Sequence, residues 1–216
     1  MALDEFLQRW VDVQPLFIGQ VVGRFDSVSD RYFLNHRADE SRRNKPELVQ
    51  FDTPEAAREI AKWTADGCYR PLKGAPNLRP GWRIELKSIS DFRRAVDYIY
   101  PGAIATYYRF IHGRLERVDL RTTLGRQTGM YRVTNNLTSA EANNLAGRFC
   151  QSRTGCLRTI LWPVDGEPPT EKLPPEKFDP EYDQLGLNQH ALPILCVEAC
   201  NLFVAEARKV VKSRSA

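Results

Sequence analysis

The chain has no apolar run approaching the roughly 18 residues that a membrane helix needs. Its first residues, Met1-Ala2-Leu3-Asp4-Glu5-Phe6, carry acid where a signal peptide carries base. Neither export nor membrane insertion is expected, and the expected location is the cytoplasm. Histidine is scarce: the 3 residues His36, His112 and His190 stand too far apart in sequence to form a metal motif. They read as surface or structural residues. No GxSxG, HExxH or paired-carboxylate constellation appears. The run Leu124-Gly125-Arg126-Gln127-Thr128-Gly129 lacks the Gly-Lys-Ser/Thr ending of a Walker loop. It reads as a turn, with Arg126 and the glycines placed to shape a loop over a bound anion or cluster.

What is present is a globular composition. With 216 residues, 42% hydrophobic and 27% charged, the chain can bury a sizeable core in one large or two small domains. The net charge of +4 is mildly basic. It falls short of the patchy bias of a dedicated nucleic-acid binder, so nucleic acid is not the expected partner. The densest positive segment, Arg208-Lys209-Val210-Val211-Lys212-Ser213-Arg214, reads as solvated surface that would also suit an acidic partner.

Periodicity supplies a coarse map. Leu3, Phe6, Leu7 and Trp10 fall at helical spacing. Residues 17–25 read as a strand interrupted by Gly19 and Gly23, residues 32–34 as a weaker strand, and residues 37–45 as an exposed polar loop. Thr53-Pro54-Glu55 opens a helix that runs through Trp63 and stops at Gly67. A Pro/Gly-rich connection over residues 71–81 is the expected internal boundary. Residues 83–87 alternate as a strand, Ser90 caps a helix ended by Pro101-Gly102, and residues 103–111 suit either element. Residues 115–120 read as a strand. Thr138-Ser139-Ala140-Glu141 is a capping box opening a helix that ends near Cys150. Residues 157–162 form a strand candidate, and the proline-rich stretch 163–183 an extended surface loop. From Ile194 a final helix is expected, with Cys196, Cys200, Val204, Ala207 and Val211 on one stripe. There is no internal repeat. The pattern is mixed, α+β or α/β, with a sheet order that sequence does not give.

Five cysteines carry the chemistry. A reducing compartment argues against disulfides. Cys68 stands alone, whereas Cys150-x5-Cys156 and Cys196-x3-Cys200 form two close pairs. Paired thiols deliver two sulfurs each to one point, which suits soft-metal ligation by thiolates. On a helix, positions 196 and 200 would share one face. Arg148, Arg153 and Arg158 would offset a net-negative cluster. Four readings stay open at this level. The thiols could be small buried hydrophobes. They could hold zinc, although an x5 spacing departs from tight zinc knuckles. They could hold a two-iron cluster, as in thioredoxin-like ferredoxins, or a four-iron one. Iron–sulfur chemistry is the favoured class.

Further runs carry a resemblance. They include Tyr69-Arg70-Pro71-Leu72-Lys73, Ala75-Pro76-Asn77-Leu78, Gly81-Trp82, Tyr100-Pro101-Gly102-Ala103 and Leu124 to Tyr131. Gly155-Cys156-Leu157-Arg158, Ile160-Leu161-Trp162-Pro163 and Cys196-Val197-Glu198-Ala199-Cys200-Asn201 complete the set. Over residues 67–212 the chain resembles the four-iron, four-sulfur cluster-binding module found C-terminal to CbiX-type chelatase domains. The preceding segment resembles the small stabilising domain that accompanies that module. The resemblance implies cluster ligands at Cys150, Cys156, Cys196 and Cys200 and leaves Cys68 an ordinary thiol. It departs from the family in one respect: these 216 residues hold no chelatase domain, so chelatase activity is not implied.

The expected architecture is therefore α+β, with a small N-terminal α/β subdomain over 1–66. A cluster-binding α+β domain over 67–216 would end in a long C-terminal helix. The expected cofactor is one [4Fe–4S] cluster, with [2Fe–2S] or zinc as alternatives. Four thiolates leave no iron open to substrate, and the C-x3-C-x2-C pattern of radical enzymes is missing. A redox carrier or accessory is thus expected over a catalyst, linked to tetrapyrrole or cobalamin metabolism through the resembled family alone. The contrasting reading is a four-cysteine zinc module that binds protein or nucleic acid. A redox partner and an oligomeric state are not legible.

Overall fold

A computed structural model describes residues 2–42, 47–62, 78–151, 155–165 and 191–214. The expectations for Trp63, Gly67, Cys68, Arg153, His190 and most of the proline-rich stretch fall outside these residues.

Helix α1 (Leu3–Val13) is amphipathic, burying Leu7 and Val11, with Asp4 and Glu5 in its first turn at the positive end of the helix dipole. Strands β1 (Leu16–Ile18) and β2 (Val21–Asp26) form an antiparallel hairpin. Its turn at Gly19 has φ +53°, and a Cβ there would stand 2.6 Å from the Tyr100 ring and hydroxyl. The Gln20 N–H donates to that hydroxyl at 2.9 Å, pinning the hairpin to the end of a later helix. Strand β3 (Arg31–His36) pairs with β2 and with β5 (Trp82–Leu86), while β4 (Val49–Phe51) lies parallel to β5. Short helix α2 (Ala56–Ile60) precedes β5, and α3 (Ile89–Ile99) and α4 (Ala103–Ile111) follow it.

The sheet runs β4-β5-β3-β2-β1-β7, closed at one edge by β7 (Ala191–Leu192) from late in the chain. Phe92, Ala95, Val96 and Ile99 of α3 join Leu7 and Val11 of α1 in the first core. The ring of Phe92 explains why a glycine stands in mid-strand: a Cβ on Gly23 would fall 2.2 Å from Phe92 Cζ.

Several local expectations change here. Residues 17–25 are not one interrupted strand but two, turned back on each other at Gly19, and α2 begins at Ala56 with Glu55, not Thr53, as its N-cap residue. Residues 37–42 are not an exposed loop but a 3-10 turn with Arg37 and Asp39 buried. Arg37 donates to the Gly19 carbonyl at 3.2 Å and lies over the Phe17 ring, while Asp39 accepts from the Gly81 N–H at 2.6 Å. The polar residues satisfy backbone groups that the hairpin and β5 would otherwise leave unpaired. The cap of α3 is Ser88, whose hydroxyl accepts from the Asp91 N–H at 3.1 Å, two residues before the expected Ser90. Residues 103–111 resolve to a helix.

A second core forms from α5 (Leu120–Gly125), a 3-10 segment (Gly129–Asn136), α6 (Ser139–Ala146) and α7 (Asn201–Ser213). Residues 115–120 do not form a strand. Asp119 caps α5 instead, accepting from the Thr122 N–H at 2.8 Å. The capping box at Thr138 and Glu141 forms as expected, with both reciprocal bonds in place. The chain then passes through a π-helical turn, Gly147–Gln151. Strands β6 (Thr159–Ile160) and β8 (Leu195–Cys196) pair in parallel. The architecture is α+β and ends in a long C-terminal helix, as expected. No described helix is long and apolar enough to cross a membrane.

Candidate metal centre

The four paired cysteines come from four different pieces of backbone, yet all line one open pocket. Cys150 sits in the π-helical turn after α6 and is buried. Such turns widen a helix locally and recur where a side chain must be re-aimed. Cys156 follows a short loop closed by its own N–H, which donates to the Phe149 carbonyl at 2.8 Å. That bond brings the first pair together across the loop.

The second pair departs from the expected helical face. Cys196 ends β8, and the helix begins only at Asn201, with Cys200 as its N-cap residue. The parallel pairing of β6 and β8 overrides the helical stripe: the Leu161 N–H donates to the Cys196 carbonyl at 2.8 Å. The Cys196 thiol donates to the Glu198 carbonyl at 3.1 Å. Both sulfurs still reach the pocket, and Cys200 is its exposed rim. As the N-cap residue, Cys200 stands where the chain turns into α7.

Phe149, Ile160, Trp162, Leu202 and Phe203 supply the apolar remainder of the wall, and Arg158 its one cationic side chain among the described residues. Burial pushes the Cys196 thiol above its usual range. The Trp162 indole and the Arg158 charge oppose that rise, and the neighbouring Cys200 and Cys156 add to it. The Arg158 N–H also donates to the Cys156 sulfur at 3.4 Å. Of the three expected arginines, Arg158 is therefore at the site. Arg148 stacks on the Phe149 ring at 4.6 Å, just behind the lining. Arg153 lies outside the described residues.

Two contributions were not legible in sequence. Arg126, expected to shape a loop near the cluster, meets Glu198 at 3.4 Å, and the Thr123 hydroxyl donates to the same carboxylate. Glu198 lies midway between Cys196 and Cys200, so this end of α5 holds the turn carrying both. Trp162 is 1% exposed, and its indole N–H has no hydrogen-bond partner among the described residues. An aromatic at the end of a strand gives no sequence signal for such a role.

Of the histidines, His112 is exposed and bonded to the Tyr108 carbonyl, while His36 is buried under the first sheet. Neither is near the thiols.

The donor set fits an iron–sulfur cluster. Thiolates are its usual ligands, and an apolar wall with a cationic group matches a net-negative guest. All four thiols face one pocket, as a multi-atom cluster held by four thiolates requires.

Comparison with known proteins points to the same cofactor. Residues 4–111 match the model of the DR2241 stabilising domain, and residues 112–209 match that of a 4Fe-4S iron-sulfur cluster binding domain. A solved structure from Deinococcus radiodurans, DR2241, superposes with a TM-score of 0.75 at 25% identity. It is described as a multi-domain protein with structural similarity to chelatases and two additional novel domains. The match covers 97% of this chain but only 41% of that one, so the chain spans less than half of its structural relative. Among curated proteins, no match was found.

Proposed function

Because the chain belongs to the family of the DR2241 stabilising domain and carries a 4Fe–4S cluster-binding domain, we propose that it is a one-electron carrier. Its [4Fe–4S] cluster would be held by Cys150, Cys156, Cys196 and Cys200. The observation that supports this ligand set most is the shared pocket: four thiols from four segments line one cavity. When bound, the cluster supplies a one-electron couple at potentials set by its surroundings.

The chain's own residues divide the work. Cys150, Cys156, Cys196 and Cys200 would each hold one iron and leave none for substrate, which favours electron transfer over dehydration or radical chemistry. Phe149, Trp162 and Phe203 keep water from the inner side. Cys200 and Leu202 lie at the exposed rim, the shortest route for an electron to a docked protein. The chelatase-like description of the D. radiodurans relative supports a place beside tetrapyrrole metabolism, as an electron-delivering accessory to a separate enzyme.

Anaerobic redox titration followed by EPR tests this reading. The cluster should be EPR-silent as isolated and take up one electron per four irons from dithionite. It should then return to the silent state on oxidation through repeated cycles. Loss of iron on the first reduction, or a failure to accept an electron, would overturn the carrier role.

A further inference from the structure

One polar group in the cluster pocket has a donor and nothing to give it to. Trp162 is almost wholly enclosed, its ring packed edge-on against Phe203 at 5.1 Å between centroids. Among the described residues its Nε1 has no hydrogen-bond partner. A buried N–H left unpaired costs on the order of 1–3 kcal/mol, so its persistence calls for a partner that joins later.

The backbone shows where that partner is. Ile160 and Cys196 are paired residues across β6 and β8, and the Leu161 N–H donates to the Cys196 carbonyl. This fixes Trp162 alongside Cys196, and both side chains line the same pocket. The protonated thiol already donates to the Glu198 carbonyl and is a poor acceptor. A metal-bound thiolate is acceptor only, and a strong one.

Building on the cluster-carrier reading, we propose that the Trp162 indole N–H donates to the Cys196 sulfur in the cluster-loaded protein and sets the cluster's potential. Trp162 is a positioning residue: it contributes no bond to iron. Its donor stabilises the extra negative charge of the reduced cluster and so raises the potential, since hydrogen bonds to cluster sulfurs are one of the protein's levers on it. The apolar wall keeps water from substituting for the indole, which makes the donor count more.

Two measurements on anaerobically loaded protein test this. In wild-type protein grown with tryptophan labelled by nitrogen-15 at the indole, pulsed EPR of the reduced cluster should show a nitrogen-15 coupling. Trp10 and Trp82 belong to the first core and its fringe and do not line the pocket, and the Trp162→Phe spectrum controls for the remaining tryptophan, Trp63. In Trp162→Phe, which keeps an aromatic ring in the wall, the coupling should vanish. The ratio of reduced to oxidised cluster at a fixed ambient potential should fall roughly fivefold, or ~40 mV at ~59 mV per decade for one electron. Iron content should stay unchanged. A reduced wild-type cluster without nitrogen-15 coupling overturns the proposal even if the variant fails to fold. An unshifted potential in a loaded variant overturns it as well. Failure of the underlying reading looks different: wild-type protein would then give no reduced-cluster signal at all.

Discussion

Leu192 pairs with Ile18 at the edge of the first sheet, four residues before Cys196 on the same segment. Between them, Ile194 is buried in the first core, and its carbonyl accepts from the Thr159 N–H at 2.8 Å. One short run of chain thus closes the six-stranded sheet, pairs with β6 and delivers a thiol to the pocket. This gives physical content to a domain that stabilises a cluster module: the sheet fixes where the second cysteine pair begins.

That coupling is measurable. Leu192 is fully buried, so Leu192→Ala should cost about 2–5 kcal/mol in urea unfolding. It should also speed iron loss from loaded protein under native conditions. Leu7→Ala, equally buried on α1, should cost a similar amount but leave the iron-loss rate closer to wild type. Equal effects of the two variants on iron loss would deny the sheet a particular role in holding the site.

His36 gives the first sheet a pH dependence. Burial lowers its pKa to about 4, and the Ala38 N–H donates to its Nδ1 at 3.0 Å. The neutral ring is therefore the folded form, while an unfolded chain takes up a proton near pH 6.5. Between those values the unfolded state binds more protons, so stability is full above pH 6.5 and declines as pH falls toward 4. The loss at pH 4 should be roughly 3 kcal/mol. His36→Gln should flatten that part of the curve by about this amount in urea titrations from pH 7 to 4. An unchanged slope would show that the imidazole does not titrate there.

The cluster should stabilise the fold that holds it. Cys150 and Cys196 are separated by a long stretch of chain, and metal–sulfur bonds close that loop. Loaded protein is expected to melt at least about 5 °C above the apo form, the shift that ~2 kcal/mol produces in a chain of this size. Equal midpoints in anaerobic calorimetry would mean that the second core stands without its metal.

The amphipathic stripes of α1 and α3 and the capping box of α6 were readable in the sequence, because they depend on nearby residues. The capping box at Thr138 is the clearest case. Elements set by distant partners were not. β8 draws Cys196 out of a helical stripe because β6 offers it backbone bonds, and no local pattern reports a strand two residues long. Asp119 reads as part of a strand until its carboxylate is seen capping α5. The expected division at residues 66 and 67 followed a break in composition. Yet β5, α3 and α4, which follow that break, belong to the first sheet and first core. The family models meet between residues 111 and 112. The grouping of the cysteines was legible because short spacing survives any fold, whereas the Trp162 and Arg126 contacts depend on tertiary packing alone.

Iron and acid-labile sulfide counts on single Cys→Ser variants, loaded under argon, test the ligand assignment most directly. Wild-type protein and Cys68→Ser should each hold about four irons and four sulfides per chain. Cys150→Ser, Cys156→Ser, Cys196→Ser and Cys200→Ser should each lose most of both, along with the brown colour. Full cluster content in any of those four, or its loss from Cys68→Ser alone, would contradict the site described above.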